Sequence, residues 1–152
     1  MKRFSSLFIL LLSLFFSQAL AQVSEAEILG VETTTAASSM EAAQVFDKSV
    51  GEATVNILAK DADGNPVAEA DVLWSVKNST DGMVYVVAIN GEAAHLGVLG
   101  KATLIVSAKT NAEGKASLTL DMASAGDASV SVTVGDVSAK GYDGRDMRVV
   151  WF

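Results

Sequence analysis

Residues that could do chemistry are few in this 152-residue chain, and the first group is Asp61-Ala62-Asp63-Gly64-Asn65 within "KDADGNPVAEADVLWSV". Oxygen-bearing side chains at alternate positions imitate the start of a calcium loop. An EF-hand continues with glycine at its sixth position and a bidentate glutamate at its twelfth. Pro66 and Val72 stand at those positions here. A turn accounts for all of these residues. Gly64 can take a positive φ, Asp63 and Asn65 can bond to nearby backbone, and Pro66 sits where no ladder donor is needed. The turn is the reading adopted, and no metal is expected.

His95, in "GEAAHLGVLG", is the sole histidine. One imidazole cannot build a histidine-rich metal site, and no serine is obviously paired with it; the chain has no cysteine. A solvated histidine in a loop flanked by Gly91, Gly97 and Gly100 is the ordinary explanation. That glycine-rich stretch is nevertheless the candidate interaction loop, represented by Asn90, Gly91, Glu92, His95, Leu96 and Gly97. "DGRD", from Asp143 to Asp146, reads as the turn into the last strand, with Arg145 and Arg148 pairing with surface carboxylates. Asn78-Ser79-Thr80 forms a glycosylation sequon, which matters only in a eukaryotic secretory pathway. Trp74 shares a face with Val72 and Val76 and reads as core. Trp151, beside Val149 and Phe152, fits either the core or an exposed aromatic interaction patch. Walker-type glycine loops, recognisable acidic pairs, basic clusters and acyl-transfer motifs are all missing from the sequence. No catalytic residue and no cofactor is expected, and the chain does not read as an enzyme.

The elements that carry these residues alternate with a period of two. Ala53 to Lys60, Asp71 to Val76, Lys115 to Asp121 and Ala128 to Val134 each set apolar residues against polar ones, as half-buried strands do. Met83 to Ile89 and Lys101 to Ala108 are apolar on both faces for part of their length, and Asp146 to Phe152 forms the last strand. Between them lie Asp63-Gly64, Asp81-Gly82, Asn90-Gly91, Glu113-Gly114, Gly126-Asp127, Gly135-Asp136 and Asp143-Gly144, all turn dipeptides. Seven to eight short antiparallel strands at this spacing predict an all-β sandwich.

The beginning of the chain sets the compartment. Lys2 and Arg3 precede an apolar run from Leu7 to Phe16, and Ala19-Leu20-Ala21 offers a signal-peptidase pattern. Residues 1–21 are therefore expected to be a signal peptide. The remaining 131 residues, from Gln22 on, should be exported without inserting in the membrane. Losing two of 11 basic residues leaves 9 against 18 acidic ones, a net charge of −9. Such a charge repels phosphate backbones, so nucleic acid is not an expected partner. Residues 22–48 read as a Ser/Thr/Ala-rich leader. It could hold a first strand around Ile28 to Thr33, and a short helix near Met40 to Phe46. Residues 49–152 read as the sandwich domain. An exported domain without cysteine must hold together by apolar packing alone.

Two segments, "ATVNILAKDADGNPVAEADVLWSV" and "TNAEGKASLTLDMASAGDASVSVTVGD", resemble the group-one bacterial immunoglobulin-like domains of the invasin and intimin type. That family pairs a "DxxGNPV" hairpin with a later threonine–glycine–lysine segment, matched by Thr110, Asn111, Gly114, Lys115, Ala116, Leu118, Thr119 and Leu120. A third block is matched by Ala125, Gly126, Ala128 and Val130 to Val134. Residues 79–108 depart from the family pattern by their extra length. The resemblance implies an exported, non-catalytic module for protein–protein interaction or cell-surface structure and adhesion. It would act in the periplasm or at the cell surface of a bacterium, with another cell-envelope protein as its partner. The alternative is a small accessory subunit of a periplasmic enzyme complex or an extracellular fibre.

Overall fold

The computed structural model describes residues 21–33, 42–45, 51–122, 124–139 and 146–151. Eleven strands run through them. In chain order they are β1 (Glu25–Thr33), β2 (Ala42–Val45), β3 (Ala53–Lys60), β4 (Asp71–Asn78), β5 (Met83–Ile89), β6 (Glu92–Leu99), β7 (Thr103–Lys109), β8 (Lys115–Met122), β9 (Gly126–Val134), β10 (Val137–Ser138) and β11 (Met147–Trp151). Each predicted run became a strand because its alternating residues have a dry and a wet side to choose between. In β3, Ala53, Val55, Ile57 and Ala59 are buried while their neighbours are half-exposed, and β9 repeats the pattern with Ala128, Val130, Val132 and Val134.

The strands form two layers. One sheet has the order β1-β3-β8-β5-β6 and the other β2-β11-β9-β4-β7, with two-residue β10 pairing to β9. Consecutive strands β3 and β4 lie in different sheets, as do β8 and β9. Four neighbours in one layer (β1-β3-β8-β5) and three in the other (β11-β9-β4) reproduce the immunoglobulin arrangement, to which β6 and β7 are each added at an edge. The all-β immunoglobulin-like sandwich therefore holds. Its core is filled by Ile28, Ile57, Leu118, Leu120, Met122, Met147 and the two tryptophans, each almost wholly buried. Burying a large apolar side chain contributes about 1.5–3 kcal/mol, and this packing stands in for cross-links in a chain without cysteine.

Three expectations change. The strand near Ile28 begins at Glu25 and pairs along β3 from Glu25–Lys60 to Thr33–Ala53, with a bulge at Leu29. Ala42–Val45, where a short helix was expected, is instead a strand running parallel to β11. Helix propensity in so short a segment is worth less than a row of ladder bonds to a ready partner. Glu92–Leu99, expected to be a glycine-rich loop, is strand β6.

Candidate interaction site

The six residues of the expected interaction loop lie on the β5–β6 hairpin. Asn90 and Gly91 form its two-residue turn, with φ of 51° and 79° between the paired residues Ile89 and Glu92. Two successive positive φ angles mark the hairpin turn that Asn-Gly favours, because its twist matches that of the strands. Asn90 is also a brace. Its Nδ2 donates to the Lys109 carbonyl at 2.8 Å at the end of β7, and its Oδ1 accepts from Ser117 N at 2.9 Å in β8. One side chain thus bridges the two sheets, so Asn90 is committed to the scaffold. This role had no local sequence signal, since both partners are remote in the chain.

Glu92, His95, Leu96 and Gly97 lie on β6, all exposed, together with Leu99. The strand occupies the end of its sheet, and among the described residues nothing pairs with its outer side. Gly97 is opposite Tyr85, and a Cβ placed on it would lie 3.1 Å from Met83 Sδ and 3.6 Å from Tyr85 Cδ1. The glycine gives these two side chains a flat surface to lie on. A bulge at Val87 shifts the register of β5 against both β6 and β8. Near the turn, a cleft of about 300 Å³ opens between the hairpin and β7, lined by Ile89, Asn90, Glu92, Ala93, Ala94 and Ala108.

The opposite end of the hairpin is fastened by Asn78, which is fully buried. Its Nδ2 donates to Gly82 O at 2.7 Å and Val98 O at 3.2 Å, while Oδ1 accepts from Thr80 N and Thr80 Oγ1, both at 3.0 Å. The sequon asparagine is therefore used up inside the protein and presents no amide to a glycosylating enzyme.

The Asp61 stretch is a turn. The Asp61 Oδ1 accepts from Asp63 N and Asn65 N, both at 2.9 Å, and Oδ2 accepts from Asn65 Nδ2 at 3.3 Å. The backbone hydrogen bond from Asn65, foremost among these contacts, holds the Asp61 pKa below its ordinary value. Asn111 repeats the device, with Oδ1 accepting from Glu113 N at 3.1 Å and Lys115 N at 2.9 Å. In both turns a glycine three residues on, Gly64 or Gly114, takes positive φ. Between them the buried Thr110 hydroxyl donates to Val67 O at 2.6 Å and accepts from Ala70 N at 2.9 Å.

The remaining candidates are structural. Trp74 is buried as expected, and Trp151 resolves to core, with Nε1 donating to Gly51 O at 2.7 Å. An exposed patch built on Trp151 is thereby excluded; Phe152 lies outside the described residues, as do Asp143, Gly144 and Arg145. Arg148 meets Asp127 at 3.0 Å, and Lys109 meets Asp71 at 2.8 Å, a hydrogen bond that raises the lysine pKa. Among the described residues there is no group of three or more His, Asp or Glu placed to hold a metal ion, and no helix long and apolar enough to cross a membrane.

No family model matches the chain, and no curated protein matches it. Among solved structures it is similar to the D00–D0 domains of intimin, at 17% identity and TM-score 0.48, over 90% of this chain and 51% of that one. The intimin D0–D1 domains give 17% identity and TM-score 0.45, over 84% and 49%. Domains 4 and 5 of the S-layer protein SbsC give 14% identity and TM-score 0.42, over 80% and 53%. The chain spans about half the length of these structures.

Proposed function

We propose that this protein is an exported, non-catalytic immunoglobulin-like module of the invasin and intimin type, which holds another protein of the bacterial cell envelope or surface through its β5–β6 hairpin. The observation that carries the reading is where the departure from the family pattern falls. Residues 79–108, the stretch with the extra length, carry β5, β6 and most of β7, and β6 is an exposed edge strand beside a cleft. The motif residues elsewhere have structural work in turns and core, as Asp61, Asn111 and Trp74 illustrate. The signal-like residues 1–21 and the acidic composition support export and argue against nucleic acid.

A photoreactive amino acid at Leu96, in the protein expressed in its native host, tests this. It is expected to crosslink to one envelope protein, while the same group at Thr119, on the outer face of β8, gives none. Crosslinking confined to Thr119, or none at either position, would refute the assignment. A stoichiometric large subunit among the crosslinked products would favour the accessory-subunit alternative.

A further inference from the structure

We propose that β6 accepts an extended, basic segment of a partner protein as an additional strand of its sheet, with one apolar side chain of that segment seated in the cleft between β6 and β7. The inference rests on the functional reading above and names the partner's chemistry at that same site. An edge strand exposes half of its backbone donors and acceptors, and proteins usually guard such edges with charge or proline. The two ends of this sheet differ in that respect. On β1 the side chains of Glu25, Glu27 and Glu32 are exposed, and an incoming strand would have to pass three like charges. Along β6 the one formally charged residue is Glu92, at the end of the strand; there is no lysine or proline, and Leu96 and Leu99 are 41% and 64% exposed. The guarded edge and the open edge belong to the same sheet.

The cleft gives an added strand something to read. Ladder bonds provide sequence-independent affinity, and pockets for alternate side chains provide selectivity. Ala93, Ala94 and Ala108 are small where bulkier residues would have closed the gap between the sheets, and the resulting cleft of about 300 Å³ opens directly beside the β6 edge. Its rim bears Glu92, on an exported protein of net charge −9, which selects a lysine or arginine at the neighbouring position of the incoming segment. The same charge argues against a second copy of this chain as occupant. Any copy of the exported chain would bring another −9, and one pairing through its own β6 would also bring a second Glu92. The hairpin is also held at both ends, by Asn90 and by Asn78, so little order has to be created on docking.

The probe is an acetylated and amidated heptapeptide, Lys-Leu-Lys-Val-Lys-Leu-Thr, titrated into the isotopically labelled exported protein while amide hydrogen exchange is followed by NMR. Outward-pointing β6 amides are expected to slow at least tenfold at saturating peptide. A version N-methylated at every residue, which keeps no ladder donor on either edge, should leave them unchanged, and Glu92→Lys should weaken binding about fivefold. Protection that appears elsewhere, equal binding of the N-methylated peptide, or no binding at millimolar concentration would each overturn the proposal. Protection of β6 that rises with protein concentration in the absence of peptide would also overturn it, assigning the edge to a second copy. If Leu96 crosslinks to an envelope protein but the peptide leaves β6 unprotected, strand addition fails and the interaction role stands.

Discussion

Asn78→Asp exchanges an amide nitrogen for an oxygen at a site where both donated hydrogen bonds end on carbonyls, those of Gly82 and Val98. The accepted bonds from Thr80 N and Oγ1 survive the change, and the site is fully buried. Once ionised, the new carboxylate faces two carbonyl oxygens out of reach of water. Burial and the missing donors therefore push its pKa above the ordinary aspartate value of about 3.9. A group whose folded pKa is raised stabilises the protein most below its unfolded pKa, and that stability is lost as pH climbs towards the folded value. Near pH ~3 the protonated acid donates one bond in place of the two made by asparagine, a loss of about 1 kcal/mol. At pH ~7 each unit by which the pKa is raised adds about 1.4 kcal/mol, so a rise of roughly two units brings the total to about 4 kcal/mol. Asn78→Ala, which loses all four bonds, should cost about 3–4 kcal/mol at any pH.

Urea unfolding of the wild type and both variants between pH ~3 and ~7 reads these differences directly, and the buried Trp74 and Trp151 supply the fluorescence signal. The expected pattern is a gap between Asn78→Asp and wild type that widens by about 3 kcal/mol over that range, and a gap for Asn78→Ala that stays flat. The reasoning is refuted by a constant Asn78→Asp gap, or by an Asn78→Ala variant within about 0.5 kcal/mol of wild type, since either would mean the amide is solvated in the folded protein.

Three further outcomes follow from the same geometry. Gly114→Ala and Gly135→Ala both place alanine at positive φ, 72° and 57°, but a Cβ at Gly114 would lie 2.7 Å from Ala59 O whereas at Gly135 it meets nothing within 4 Å. Denaturant titration should show a loss of about 1 kcal/mol at Gly135 and clearly more at Gly114, the difference measuring the clash. Trp74 Nε1 is buried without an acceptor among the described residues, whereas Trp151 Nε1 is bonded to Gly51 O. Trp74→Phe removes an unmet donor and Trp151→Phe removes a made bond, so calorimetry should find the second more damaging by about 2 kcal/mol. The depressed Asp61 pKa makes a stabilising contribution that is present above its ordinary value of 3.8 and lost as pH falls through the lower folded value. Asp61→Asn should accordingly melt below wild type at neutral pH and approach it in acid, and parallel melting curves at both pH values would count against the turn's dependence on the charge.

The fold was legible where a strand has two unlike faces. Val55 and Ile57 against Thr54 and Asn56, or Val130 and Val132 against Ser129 and Ser131, announce a buried side and a wet side, and β3 and β9 follow. Edge strands lack that contrast. In β6 only Val98 is buried, and Gly97 stands in the outward row because Tyr85 and Met83 cover it. Composition alone therefore points to a loop, although Asn90-Gly91 is itself a strong hairpin signal. Ala42–Val45 carries only a local helical signal, because its strand conformation depends on a partner, β11, about a hundred residues away. The turn at Asp61 was readable from its own residues, since every bond it makes is local. The braces at Asn90 and Thr110 were not, since their partners are 19 or more residues away, nor was the Asn78 bond that reaches Val98.

These braces bear on how an edge can be exposed without being floppy. A free β6 with few buried side chains would ordinarily fray, because an edge strand gains little from the core. Here Asn90 anchors the turn to β7 and β8, and Asn78 ties Gly82 and Val98 to the end of β4, so both ends of the hairpin are attached to central strands. The middle of β6 is left open to solvent between two fixed points. A strand held in this way has already given up the conformational freedom that a docking segment would otherwise have to remove. Polar residues that look like candidates for chemistry in the sequence thus act in the structure as fasteners, and the surface they fasten is made largely of backbone, alanine and leucine.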